Sequence, residues 1–222
     1  MKLTLAAIIV ALCTTVGVTL AAASPNPPWK GLPTRTTAPK SKPGDPINIA
    51  FEGSRPQVLA AFNKIGWVKA DPLSMRDDER LASAALRHGS YRTAPVSNLY
   101  LFGRAEDFAV EHELGWVGKR DHARFWDTGK QDSGTHLELW IGDCSRDIAI
   151  KILFKHKIPR GTTHKIDGHL DVERDLIVSL MKKASLASTV IMEPGVGNNS
   201  NLYNGTGDRL YTDGKAALIV LK

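Results

Sequence analysis

Arg120, His122, Arg124 and Trp126 stand at every second position of one short run, and His164, Asp167, His169, Asp171, Glu173, Arg174 and Asp175 crowd a second run further along. Guanidinium, imidazole and carboxylate groups cost free energy to bury without partners, so two such concentrations in an otherwise ordinary chain mark a surface where chemistry is expected. Imidazoles with carboxylates can pass protons or hold zinc, manganese or iron. The second run fits no metal code: it has no His-Glu-x-x-His helix and no calcium loop, and Gly168 puts a turn among the would-be ligands. Asp171 as an N-cap and Glu173 in a first turn are also what a helix N-terminus favours. No metal and no cofactor is therefore expected. The candidate catalytic set is His122, Arg124, His164 and Asp167, with His122 or His164 as general acid or base and Arg124 opposite developing charge.

These side chains need elements to hold them. In a strand, residues two apart share a face, so Arg120, His122, Arg124 and Trp126 lie together while Ala123 and Phe125 turn to a core. Strands at residues 136–142 and 147–154 repeat the split, with Leu137, Leu139 and Ile141 opposing Glu138 and Trp140. If the three form a meander, His122, Arg124, Trp126, Glu138, Trp140 and Lys151 line one surface. Aromatics among cations suit flat or anionic ligands, so Arg120, Trp126, Glu138 and Trp140 are candidate ligand-binding residues, joined by Glu173 and Arg174 of the second run. The alternative is an outward face of cross-strand pairs such as Arg124 with Glu138.

Around this run, residues 47–51 alternate as a strand. Ser54-Arg55-Pro56 opens a helix that carries Val58, Leu59, Phe62 and Ile65 on one stripe and stops at Gly66. A second helix is predicted over residues 76–88, and a third from an Asp171 cap through Ala184. Period-two segments at 99–102, 108–112 and 120–127, with 188–192 and 215–221, complete the strands. The predicted fold is α+β, a largely antiparallel mixed sheet with helices packed on one side, in a single domain at residues 47–222.

Residues 1–23 have a positive start, an apolar run and small residues before Ser24, the pattern of a signal peptide, with an uncleaved anchor as the alternative. A periplasmic or extracellular location follows, with membrane contact only through an uncleaved leader or peripherally. Residues 24–46, with Pro25, Pro27, Pro28, Pro33, Pro39, Pro43 and Pro46, are expected to be a basic, semi-extended linker. Most of the +6 formal charge sits in these two segments, and the balanced remainder argues against nucleic-acid binding. Cys144 is left without a disulfide partner once the leader is removed and is expected to be a packed hydrophobe. The glycine-rich loops at 193–200 and 204–207 lack the ending of a phosphate loop, and Asn198 and Asn204 sit in glycosylation sequons.

The pieces at residues 93–107, 119–126, 140–142 and 163–175, after an opening with Gly66-Trp67 and Ala70-Asp71-Pro72, occur in an order that resembles the LssY C-terminal domain family of bacteria, over roughly residues 47–190. The resemblance implies an envelope protein of unassigned activity, of a kind sometimes attached to membrane-embedded phosphatase-like segments. It carries the family's basic stretch onto residues 120–126 and its Thr-His stretch onto residues 163–167, and it adds Arg104 to the candidate ligand-binding residues. Lys165 stands in place of a second His, which weakens a metal reading. The expected function is an exported protein that binds an anionic small molecule, a lipid headgroup or an envelope protein. The alternative is a hydrolase of phosphoesters or related anions using His, Arg and Asp.

Overall fold

The computed structural model describes residues 19–21, 28, 30–73, 80, 83–84, 87–132, 136–155, 158–195 and 202–222. Ile49 and Phe51 of β4 (Ile49–Glu52) turn into one apolar cluster while Ala50 turns into another. A strand apolar on both faces needs cover on both, and this one lies inside a nine-stranded sheet. Its order is β1 (Thr19–Ala21), β12 (Ala187–Pro194), β15 (Lys215–Leu221), β4, β10 (Glu138–Lys155), β9 (Lys119–Gln131), β8 (Phe108–Trp116) and β5 (Val68–Lys69), with β11 (Ile158–Ile166) also paired to β10.

On one face, α1 (Arg55–Lys64) contributes Val58 and Phe62, and α2 (Leu170–Lys183) contributes Ile177 and Met181, to a cluster with Phe51, Phe108, Phe125 and Trp140. Gln57 Oε1 accepts the Ser54 N–H at 2.8 Å, which fixes the start of α1, and Gly66, at φ 88°, ends the following turn. The other face is covered by β structure. Strands β2 (Arg35–Ala38) and β3 (Lys42–Pro46), joined by a 3-10 turn, pair with β6 (Tyr100–Leu101) and β7 (Arg104–Ala105) in a four-stranded sheet. Leu99, Leu101, Trp126, Leu139 and Ile141 pack beneath it. A short hairpin, β13 (Leu202–Tyr203) with β14 (Arg209–Leu210), stands alongside.

The α+β expectation is overturned. Among the described residues the chain is mostly β, 49% strand and 18% helical, with two α-helices and several sheets. Two segments account for much of the difference. Residues 35–46, expected in a free linker, are a paired hairpin: Thr37 pairs with Pro43 on one side and Tyr100 on the other, and Pro43 and Pro46 sit on β3, an edge strand that tolerates them. The strands expected at 136–142 and 147–154 are one continuous strand, β10, whose far half pairs with the unpredicted β11. The α2 N-cap is His169, with Asp171 one step inside the first turn. The helix expected at 76–88 falls largely outside the described residues, as does nearly all of the leader.

Candidate functional site

Alternation along β9 sends Ala123 and Phe125 into the helix-side cluster and turns Arg120, His122 and Arg124 to the opposite face. Directly across, Asp147 pairs with Arg120, Ser145 with His122, and Asp143 with Arg124. Side chains facing each other across an antiparallel pair share a face, so three basic groups meet two carboxylates and a hydroxyl. Gly142 allows this approach: a Cβ there would meet the Arg124 carbonyl oxygen at 2.3 Å.

Arg120, His122, Arg124 and Asp147 form the floor of a cavity of about 510 Å³, with Asp143 and Ser145 behind them. Its walls come from elements distant in sequence: Lys40, Lys42 and Asp45 of the β2–β3 hairpin, Ser97 to Tyr100, Thr163 and His164 of β11, and Asn204 to Thr206 between β13 and β14. Arg35 Nη2 donates to the Tyr203 carbonyl at 2.5 Å and Lys42 Nζ to the Gly205 carbonyl at 3.2 Å, tying the two hairpins together. Asn204 Oδ1 accepts the N–H groups of Thr206 and Asp208, which holds the connecting turn.

The two arginines differ in what they have left to give. Arg120 has four of its five donors in use: Nε donates to Asp147 Oδ2 at 2.9 Å, Nη1 to Glu111 Oε2 at 2.6 Å and to the Ala94 carbonyl, and Nη2 to the Pro95 carbonyl. Arg124, 5% exposed, donates Nε to the Ser97 carbonyl at 2.9 Å and Nη1 to Asp143 Oδ1 at 2.7 Å. Its Nη2 has no acceptor among the described residues. Asp147 also lies 3.2 Å from His122 Nε2 and 3.8 Å from His164 Nδ1, while His122 Nδ1 and His164 Nε2 are buried without partners.

Burial governs the protonation of this floor and of the carboxylates that back it. It pushes His122 down to about 4, against the attraction of Asp147, and it lowers His164. It raises Asp143 to about 7, Glu111 to about 8, and Asp45 above the ordinary carboxylate value. Asp147 goes the other way: His122, His164 and Arg120 outweigh its desolvation and hold it well below the usual range. Near neutrality the histidines are neutral, Asp147 offsets one arginine, and the partly protonated Asp143 leaves Arg124 incompletely neutralised. Exposed Lys40 and Lys42 add positive charge at the rim.

Of the residues singled out from sequence, Arg120, His122, Arg124 and His164 converge on this cavity. Asp167 does not: its carboxylate accepts the His169 N–H at 3.0 Å and shapes the turn into α2. The second polar run therefore divides at buried Ile166. Glu173 lies under α2 beside Arg146, at 3.3 Å, and Asp121. Arg174 is bound by Asp171, Asp175 and Asp213 and the Lys215 carbonyl. Arg104 is held by Asp107 and the Asp127 carbonyl. Trp126 faces the cavity side but is fully buried in the apolar cluster next to it. Glu138 and Trp140 lie off this surface. Glu138 accepts the Arg55 N–H, and Trp140 packs on Phe108 with its indole N–H donated to the Gly53 carbonyl at 3.1 Å. A bulge between Glu138 and Trp140 keeps β10 in phase with β9 so that Ile141, not Trp140, faces with Trp126. Lys151 is paired with Asp208.

Sequence reasoning missed Asp45, Asp143 and Asp147. For the last two the signal was present as Asp143-x-Ser145-x-Asp147, a period-two polar face. Among the described residues, no group of three or more His, Cys, Asp or Glu side chains is arranged to hold a metal ion, and no helix is long and apolar enough to cross a membrane.

A sequence profile of the family described as LssY C-terminus matches residues 29–216, which takes in every residue lining the cavity. No curated protein and no solved structure matches the chain.

Proposed function

The chain belongs to the LssY C-terminus family, and we propose that it is an exported cell-envelope protein that binds the anionic group of a small molecule or headgroup in the Arg124 cavity. The observation that carries the reading is a buried guanidinium whose Nη2 has no acceptor among the described residues, at the floor of a roomy, rim-basic pocket. A buried cation with free donors gains charge-assisted bonds when an oxyanion enters, and Arg124 has more of them to give than Arg120, four of whose five donors are already in use. Apolar wall residues Leu73, Val96 and Leu99 give the rest of such a ligand a surface to cover.

The test is thermal stabilisation of the full chain by phenyl phosphate, phenyl sulfate and benzoate. The variant Lys40→Gln, altered only at an exposed rim position, is expected to fold normally and to lose part of the stabilisation. No stabilisation of the unaltered chain by any of the three anions overturns the reading. Export is tested separately, by the N-terminus of protein recovered from a bacterial periplasm: a chain beginning at Ser24 supports it, and full-length protein confined to the cytosol counts against it.

A second reading, hydrolysis of a phosphoester, rests on Asp147 standing between His122 and His164, since a carboxylate that orients an imidazole is a common part of acid/base machinery. It is the weaker one. A histidine held near 4 is almost never protonated near neutral pH and so makes a poor general acid there. Turnover of p-nitrophenyl phosphate that disappears in both His122→Asn and His164→Asn would reverse this preference.

A further inference from the structure

We propose that Asp45 makes the cavity selective for a phosphomonoester, an oxyanion able to share a proton, over oxyanions that cannot, such as a sulfate ester. The inference rests on the anion-site reading and specifies the anion. Asp45, on β3, lines the same cavity beside the floor, with Oδ2 3.9 Å from Arg124 Nη1. Beyond that ion pair, no donor is assigned to its carboxyl among the described residues.

Its backbone is fixed all the same. Thr36 Oγ1 donates to the Asp45 carbonyl at 2.9 Å, Arg35 Nε donates to the Gly44 carbonyl at 3.0 Å, and Arg35 and Lys42 tie the hairpin to the turn opposite. The charged groups around the carboxyl are Arg124 on β9, Asp143 and Asp147 on β10, Arg35 on β2 and Asp208 beside β14. Three acids against two arginines leave Asp45 in a place where its own ionised form is opposed.

An oxyanion on Arg124 Nη2 comes to rest beside this carboxyl. Two ionised oxygens in contact repel, and one proton between them turns repulsion into a hydrogen bond. A phosphomonoester, whose second ionisation lies near ~6, supplies that proton as P–OH donated to the Asp45 carboxylate, or accepts it as P–O⁻ from the Asp45 acid. No covalent bond other than O–H changes. A sulfate ester has no proton to give and is a feeble acceptor, so it enters only against the carboxylate's charge.

Phenyl phosphate and phenyl sulfate differ in little else and are the probes. Titration calorimetry near pH ~6, where the phosphoryl proton is half present, is expected to give phosphate the tighter binding by on the order of 100-fold, the scale of a like-charge contact. In Asp45→Asn the sulfate ester gains and the ratio falls to within about tenfold. Equal affinities in the unaltered chain, or an unchanged ratio in Asp45→Asn, overturn the role of Asp45 and leave the anion site standing. Binding of neither ester by either chain overturns the site and the selectivity with it. Should Asp45→Asn fail to fold, the ratio in the unaltered chain decides alone. Flotation with phosphatidylcholine vesicles, with and without phosphatidic acid, separates the sources. Phosphatidic-acid-dependent binding that phenyl phosphate competes away assigns the ester to a lipid headgroup, and phenyl phosphate binding alone assigns it to a soluble ligand.

Discussion

His122 Nε2 lies 3.2 Å from Asp147 Oδ1 at a place where both side chains are 2% exposed. A neutral imidazole donating to a permanently charged carboxylate is the arrangement that burial enforces, with His122 held near 4. In the unfolded chain the same group titrates near ~6.5. Between those values the unfolded state takes up a proton that the folded state refuses, so stability falls as pH drops through that window. Urea unfolding is expected to lose on the order of 3 kcal/mol between about pH 7 and about pH 4 from this residue. His164, lowered for the same reason, adds to it. His122→Gln should flatten this part of the profile; an unchanged acid limb in that variant would show that the imidazole is not the source.

The opposite limb belongs to Glu173. Both of its carboxyl oxygens and Asp121 Oδ2 are buried without a hydrogen-bond donor, and a single proton on Glu173 provides one for the pair. Desolvation, then the charge of Asp121, raises Glu173 to about 9. The folded state therefore holds a proton that the unfolded state has released above ~4.5, and stability falls as pH rises from there toward about 9. Glu111 and Asp143 act with the same sign to about 8 and about 7. Glu173→Gln keeps the shape, replaces the shared proton by an amide N–H, and should melt near the parent temperature at mildly acid pH and above it at alkaline pH. A variant that melts lower throughout would mean that the ionised pair with Arg146, not the proton, holds this contact.

The sequence made one face of this site readable and hid the other. Along β9 the alternation of Arg120, His122 and Arg124 against Ala123 and Phe125 is a plain period of two, and it names three floor residues directly. Along β10 the same signal in Asp143, Ser145 and Asp147 is broken to the eye by Gly142 and a cluster of polar residues that resemble a turn. They are a strand interior because the charges find partners on β9, a tertiary fact that local pattern does not contain. Residues 35–46 misled in the same way. Proline and lysine suit a linker, yet they also suit an edge hairpin, and only the contacts with Tyr100, Tyr203 and Gly205 distinguish the two. Asp45 was invisible for that reason. The split at Ile166, which separates His164 from Asp167, depends on where β11 ends and the turn into α2 begins.

Gly142 offers a test of how tightly β9 and β10 are pressed together. An added Cβ would meet the Arg124 carbonyl oxygen at 2.3 Å and the Phe125 ring at 2.8 Å. One of these is backbone in the middle of the sheet and cannot swing aside. Gly142→Ala is expected to lower stability by about 1–3 kcal/mol, the usual range for overpacking a core. It should also shift the Arg124 and Asp143 side chains enough to weaken anion binding in the same variant. Parent-like unfolding in urea would show that the two strands have room for a methyl group.

Arg124 and Asp143 make the last prediction, because their pairing sets how much positive charge the cavity offers. Asp143 Oδ1 accepts from Arg124 Nη1 at 2.7 Å, while Oδ2 is buried without a partner, and desolvation raises the group to about 7. Above that value an ionised Asp143 is the strongest of the acids that offset the guanidinium; below it only Glu106 and Asp45 still face Arg124, and more of its charge is left for a ligand. An incoming anion favours the protonated acid in turn, so binding takes up protons and affinity should rise as pH falls through about 7. Asp143→Asn imitates the protonated form and should bind phenyl phosphate more tightly than the parent at about pH 8, by up to about tenfold for one pKa unit of coupling, with little difference at about pH 6. The ligand's own ionisation is common to both chains, so the difference between their slopes reports Asp143 alone. If the two slopes coincide, the Asp143 carboxyl does not gate the charge of Arg124.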